Sequence, residues 1–523
     1  MQLEEFLEQS ALRLPQKVAL VSEGKRYTYA DLDQLSNRLA QVLMMEGVRR
    51  GDRVAIFLEN SAEAVISIFA VLKMGGVFLV INPSTKADKL AYILNDCRAV
   101  AIISHTKMEP VVSAIESQVN SLSFTILIGS ERSETPTSHI KRLDWGKILT
   151  ALTGIADQRP IKNAINIDLA TIIYTSGSTG FPKGVMMTHL NMITAATSIT
   201  QYLENTADDI ILSVLPLSFD YGLYQVLMAF KIGATVILEK SFAYPIVILE
   251  KLSEERVTGF PIVPTMVAIL LQMKGLTPGR FPKLRYMTNT AAALPPAHIR
   301  RLRELFPTTR IYSMYGLTEC KRVAYLHPDQ LDKRPTSVGK AIPNTEVYIV
   351  NDRGERVAPG EIGELVIRGA HVMKGYWERP EDTDRALKPG PLPGEKVLYS
   401  GDLFKTDEEG YLYFIGRKDD IIKTRGEKVS PKEIEAVVYS LPQVAEVAII
   451  GVEDPVLGQA IKAVIVLSKD AVVTEQDILR HCRANLEDFM IPKFIEFREA
   501  LLPKTGTGKI SKRELSIAKG KGE

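Results

Sequence analysis

The sequence predicts an α/β protein: a large N-terminal domain of parallel-rich sheets covered by helices, with a β-rich subdomain, and a small C-terminal α+β domain. Three observations carry this. Short apolar runs of strand length alternate with amphipathic stretches through the first four-fifths of the chain, the pattern of βα units. From Ser337 to Phe414 the runs become strand-like and are separated by Gly/Pro turns. Beyond Gly416-Arg-Lys-Asp-Asp420 a compact α/β pattern of about a hundred residues follows, a reasonable size for a domain.

The individual elements follow from periodicity. Ala30 to Glu46 carries Leu32, Leu35, Leu39, Val42 and Leu43 at helical spacing. Arg53-Val-Ala-Ile-Phe-Leu and Ala99-Val-Ala-Ile-Ile-Ser have strand length, as does Leu169 to Ile173. The apolar region Ala64 to Val80 is short for a bilayer and is interrupted by Lys73 and Gly75-Gly76, so it reads as a buried helix, Ala64 to Met74, and a strand, Gly76 to Ile81. Val347-Tyr-Ile-Val and Leu365-Val-Ile-Arg are strands of the β-rich part. The C-terminal part reads as helix Pro431 to Leu441, strands Glu446 to Gly451 and Ala460 to Leu467, and helix Thr474 to Asn485. The expected domains are therefore 1–416, with the β-rich subdomain at about 337–416, and 417–523.

At 523 residues the chain exceeds one ordinary core. Hydrophobic residues make up 46% and charged residues 24%, the balance of a soluble globular protein. A formal net charge of +2 points to neither nucleic acid nor an anionic membrane as partner. Cys97, Cys320 and Cys482 lie far apart, which argues against a zinc site or disulfide framework and fits a reducing compartment. The acidic, amphipathic start, Met1-Gln-Leu-Glu-Glu-Phe, is unlike a signal peptide, and a cytoplasmic location is expected.

Tyr174-Thr-Ser-Gly-Ser-Thr-Gly-Phe-Pro-Lys-Gly184 packs four hydroxyls, three glycines and Lys183 into one segment directly after a strand. Glycines let backbone N–H groups approach phosphate oxygens, hydroxyls add donors, and Lys183 adds charge. The spacing is not that of a Walker loop. By composition alone the segment reads equally as a phosphate cradle or as a solvated Ser/Gly turn. Further along stand Asn289-Thr-Ala-Ala-Ala-Leu294, Tyr315-Gly-Leu-Thr-Glu319, Tyr399-Ser-Gly-Asp-Leu403, Gly416-Arg-Lys-Asp-Asp420 and Pro503-Lys-Thr-Gly-Thr-Gly-Lys-Ile510.

In this order these motifs resemble the adenylate-forming superfamily: acyl-CoA synthetases, firefly luciferase and the adenylation domains of non-ribosomal peptide synthetases. The resemblance covers nearly the whole chain. It implies an enzyme that uses ATP and Mg²⁺ to activate a carboxylic acid as an acyl-adenylate and then passes the acyl group to a thiol. It places Thr175, Ser176, Gly177, Ser178, Thr179, Gly180 and Lys183 at the phosphates, and Thr290 and Ala291 at the adenine pocket. Tyr315 is expected to stack on adenine beside Gly316, with Thr318 at the phosphate and Glu319 as metal ligand. Asp402 would take both ribose hydroxyls, as a carboxylate suits a vicinal diol, and Arg417 would reach ribose and phosphate. Asp419 matches the hinge of a mobile small domain, and Lys509, rather than Lys504, the catalytic lysine that offsets repulsion between two anions.

The acid pocket is expected to begin at Leu217-Ser-Phe-Asp-Tyr-Gly-Leu-Tyr224. Asp220 matches the aspartate that pairs with the α-ammonium in amino-acid-activating members, although Gly222 replaces the usual serine. Because a carboxylate in an apolar pocket is costly unless paired with a cation, Asp220 favours an amino or imino acid, proline-like, loaded onto a carrier protein's phosphopantetheine. The alternative is a ligase joining a non-amino acid to CoA. Motif register adds Tyr221, Tyr224, Met287, Asn289, Met314 and Arg322, a set that matches no amino-acid pattern. Arg322 either pairs with Asp220 or binds an acidic substrate group. Tyr315 to Arg322 is also similar to AMP-forming acyl-CoA ligases associated with bacterial exosortase systems.

Overall fold

The computed structural model describes residues 1–129, 140–151, 158–175, 182–273, 275–290, 294–424, 427–454, 457–469, 471–504 and 510–517. Two large sheets form the N-terminal part. One runs Lys340–Ala341, Ala324–Leu326, Arg310–Tyr315, Tyr286–Asn289, Gly259–Ile262, Ile210–Ser213, Thr235–Leu238, Val18–Ser22 and Lys25–Thr28, parallel at its centre and antiparallel at both edges. The other runs Gly375–Tyr376, Lys183–Thr188, Leu169–Thr175, Val77–Val80, Arg53–Phe57, Ala101–His105, Phe124–Ile128 and Lys141–Asp144. Its central strands are parallel, and Leu169–Thr175 with Lys183–Thr188 form an antiparallel pair. The near-continuous β-branched and apolar runs of Thr235–Leu238 and Arg53–Phe57 suit strands covered on both faces.

Two helices bind these sheets together. Tyr29–Met45 starts at a capping box in which the Thr28 side chain accepts from the Asp31 N–H and Asp31 returns the contact. Ala62–Lys73, capped by Ser61, touches strands of both sheets and buries every residue except Glu63. The helix expected from Ala64 begins two residues earlier, because Ser61 supplies the cap. Lys73, which argued against a membrane span, lies buried at the end of this helix. Its ammonium donates to Asp33 Oδ1 at 2.6 Å, Asn37 Oδ1 at 2.7 Å and the Asp33 carbonyl at 2.9 Å. Among the described residues no helix is long and apolar enough to cross a membrane.

The β-rich part forms a sheet of Glu346–Val350, Gly363–Arg368, Lys396–Thr406 and Leu387–Pro389, with Leu412–Arg417 paired to Lys396–Thr406. It is less self-contained than its texture implied: Gly375–Tyr376 leaves it to pair with Lys183–Thr188. In the C-terminal part the predicted strands lengthen to Val444–Asp454 and Gly458–Leu467, and Phe494–Arg498 adds a parallel strand that was not anticipated. Ile434 and Val438 of the helix Pro431–Tyr439 and Ile478 and Cys482 of Glu475–Asn485 pack with Ile449, Ile461 and Ile465 in an apolar core of their own. The three cysteines are buried and free.

Removing one partner of a buried ion pair leaves the other charge without compensation. We expect Asp33→Ala to strand the Lys73 ammonium and lower stability by about 3 kcal/mol, read as a reduced denaturant midpoint at neutral pH.

Candidate active site

Among the described residues, Lys183, Tyr315, Glu319, Asp402 and Arg417 lie where the two large sheets meet the β-rich sheet. Thr175 and Lys183 are register partners in the antiparallel pair that brackets the glycine segment. Ser176, Gly177, Ser178, Thr179 and Gly180 lie outside the described residues, as do Ala291 and Lys509. The base of the segment is anchored: Tyr174 donates its hydroxyl to Asp96 at 2.5 Å, and the Trp377 indole donates to the Asp96 carbonyl at 3.0 Å. Lys183 points its ammonium at Asp382 Oδ1, 2.8 Å away, and lies 5.6 Å from the centre of the Tyr376 ring. That hydrogen bond holds the Asp382 carboxyl below its usual range, against the opposing effect of burial.

The Tyr315 motif leaves its strand and turns back on itself. The Val323 N–H donates to the Tyr315 carbonyl at 2.9 Å, and Cys320 and Lys321 both donate to the Leu317 carbonyl. Gly316 is required by this turn, since a Cβ there would lie 2.0 Å from the Lys321 carbonyl oxygen. The turn aims Glu319 at Tyr376, whose hydroxyl donates to Glu319 Oε1 at 2.8 Å. Tyr315 is held edge-on to Phe404 at 4.9 Å, and its hydroxyl donates to Asp402 Oδ2 at 2.5 Å. Burial, and then the Asp402 charge, raise the Tyr315 hydroxyl well above its usual range. Asp402 and Arg417 are register partners on neighbouring strands, with Arg417 Nε 3.2 Å from Asp402 Oδ1. Asp419 follows in a single 3₁₀ turn, Lys418–Asp420. Lys504, the other candidate lysine in its motif, forms an ion pair with Glu446 at 2.7 Å. Thr290 is buried directly after the strand Tyr286–Asn289.

The acid-pocket candidates gather around the start of the buried helix Asp220–Ile232. The Tyr221 hydroxyl donates to the Thr288 carbonyl at 2.6 Å, tying the helix to the strand that carries Met287 and Asn289 on one face. The Tyr224 hydroxyl donates to the Met192 carbonyl at 3.4 Å. The Tyr202 hydroxyl reaches the Met314 sulfur at 3.0 Å. The Arg322 guanidinium lies over the Tyr221 ring, 5.1 Å from its centre. Among the described residues no ion pair joins Arg322 to Asp220. Lys321 is fully buried, and its ammonium donates to the Thr318 carbonyl at 3.1 Å. Burial pulls the Lys321 ammonium downward, and the charges of Asp220 and Glu319 oppose that. Burial pushes the Tyr224 hydroxyl up, with Asp220 adding to the rise and Arg322 countering it, so Tyr224 sits within the field of both.

Sequence reasoning missed Tyr376, Asp382, Tyr202 and Lys321. Lys321 stood in plain view inside its motif, whereas the others carry no local signal. It also treated Gly222 as a departure from a usual serine. The helix start explains it: a Cβ at 222 would lie 2.3 Å from the Pro216 carbonyl oxygen and 2.6 Å from that of Leu215.

The family model for AMP-binding enzymes matches residues 7–377, and that for the AMP-binding enzyme C-terminal domain matches residues 433–509. The chain belongs to the AMP-binding enzyme family, and so to the adenylate-forming superfamily. The long-chain-fatty-acid–CoA ligase of Bacillus subtilis (strain 168) is 32% identical over 535 residues, covering 98% of this chain and 94% of that protein. Tyrocidine synthase 2 of Brevibacillus parabrevis is 30% identical over 527 residues, covering 99% of this chain and 14% of its own length. Among solved structures, o-succinylbenzoate coenzyme A synthetase from Bacillus subtilis in complex with ATP and magnesium ion is 28% identical, with a TM-score of 0.84 and 98% of both chains covered.

The contact at Gly222 yields a test. Alanine for glycine in a helix gains about 1 kcal/mol, but overlap with two backbone carbonyls costs more. We expect Gly222→Ala to lower stability by about 2 kcal/mol net, measured by chemical denaturation, with acid-dependent activity reduced in parallel.

Proposed function

We propose that this chain is an AMP-forming acyl-CoA ligase acting on a carboxylic acid that lacks an amino group. The observation that carries this reading is the charge inventory of the acid pocket. Asp220 is answered by Lys321 from within the chain, and Arg322 adds a second cation. With Lys321 and Arg322 both acting in its neighbourhood, Asp220 is not the lone carboxylate that a substrate ammonium would answer, so the leaning toward an amino or imino acid gives way to the alternative. The resemblance over nearly full length to a fatty-acid–CoA ligase and a CoA synthetase supports the same side and favours CoA over a carrier protein as acceptor.

The residues present fit ATP and Mg²⁺. Mg²⁺ commonly binds through one or two carboxylates and substrate phosphates, so Glu319 suits it without a larger cage. Bound there, it would neutralise phosphate charge. In the first step a carboxylate oxygen of the acid attacks the α-phosphorus of ATP; the bond to the bridging oxygen breaks and pyrophosphate leaves. In the second, a CoA thiolate attacks the acyl carbon and AMP departs. Both steps bring anions together, so positioning and charge neutralisation by Lys183, Arg417 and Lys509 would account for most of the acceleration. Lys183 reaches phosphate by exchanging its Asp382 partner for a stronger anion. Asp402 holds the ribose, with Tyr315 fixing its carboxylate. We place the hinge at Asp419, since the β-rich sheet ends at Arg417 and the C-terminal apolar core begins at Ile422.

Two outcomes test this reading. In ATP–pyrophosphate exchange across amino, imino, fatty and aryl acids, an acid without an amino group should give the highest rate, and CoA should then trap it as a thioester. An amino acid giving the highest rate would overturn the proposal. Lys509→Ala should abolish exchange while largely sparing thioester formation from supplied acyl-adenylate, so undiminished exchange in that variant would remove Lys509 from its role.

A further inference from the structure

We infer that the acid pocket receives an acid bearing a second carboxylate, which Arg322 holds while the first is activated. This rests on the acyl-CoA ligase reading and narrows it. Arg322 is 5% exposed, and its Nε has no hydrogen-bond partner. Among the described residues no carboxylate lies within ion-pair distance of its guanidinium, and the Tyr221 ring beneath it compensates a buried charge only in part. A buried guanidinium without an anion is costly, and a ligand carboxylate matches its fork with two parallel hydrogen bonds.

The surrounding groups leave that task to Arg322 alone. The hydroxyls of Tyr221, Tyr224 and Tyr202 are spent on the Thr288 carbonyl, the Met192 carbonyl and the Met314 sulfur. Burial pushes the Tyr202 hydroxyl up and the Arg322 charge pulls it part of the way back, which puts the two side by side. Tyr221, Tyr224 and Met314 are each 5% exposed or less, so bulky buried side chains surround the helix start. Lys321 cannot substitute for Arg322, because its ammonium is turned to the Thr318 carbonyl and faces the charges of Asp220 and Glu319.

The test uses the full-length protein, ATP, Mg²⁺ and CoA with acids matched in carbon number: propionate against malonate, butyrate against succinate, valerate against glutarate, benzoate against isophthalate. The expected result is that in at least one pair the dicarboxylate exceeds its partner about tenfold or more in kcat/KM. Arg322→Met should then cut the dicarboxylate value by about 100-fold or more, since pairing with a buried polar group discriminates more strongly than apolar fit does, and invert the preference within the pair. Arg322→Lys should recover part of it. Monocarboxylates ahead in every pair would overturn the inference even if the variant fails to fold, and equal loss on both members of a pair in Arg322→Met would do the same. If only amino acids turn over, the ligase reading fails and takes this inference with it.

Discussion

Charge held in a nonpolar interior is the constraint around which this site is built. The turn from Tyr315 to Val323 carries Glu319, Lys321 and Arg322 into a region bounded by two sheets, where a charge left unmet is costly. Glu319 is met by Tyr376, Lys321 by the Thr318 carbonyl and the field of Asp220. Asp402 is met by Tyr315 and Arg417. Fold and site share these contacts: Tyr376 reaches Glu319 only because a two-residue strand crosses from the β-rich region to the edge of the other sheet. Folding the chain therefore assembles the charges, and the charges restrict how the chain folds.

Much of the architecture was legible because its periodicity is strong. Helix Tyr29–Met45 and strand Arg53–Phe57 were read within a residue or so of their ends, and Lys73 was recognised as incompatible with a membrane span. What escaped had either too little length or a partner too distant. Gly375–Tyr376 offers two residues, which show no period at all. Phe494–Arg498, Phe-Ile-Glu-Phe-Arg, does alternate weakly, and a search for strands at that scale would have found it.

The site divides along the same line. Tyr315, Asp402 and Arg417 stand in ordered motifs and the structure brings them together. Asp382 has no motif and reaches Lys183 from 199 residues away. The sequence offers Asp220 either a substrate ammonium or Arg322 as partner and gives no sign of Lys321, because sequence position says nothing about which cation shares a pocket. Such sums of charge are displayed only by the folded chain.

The close approach at Gly222 bears on what this helix start can tolerate. The carbonyls of Leu215 and Pro216 occupy the space where any side chain at 222 would begin, so the helix start is locked to the loop before it through backbone alone. In this chain a side chain at 222 would have to move the loop as well as the helix, whereas Tyr221 and Tyr224 already occupy space of their own. One backbone contact thus sets the frame of the helix start, and the side chains beside it are fitted to that frame.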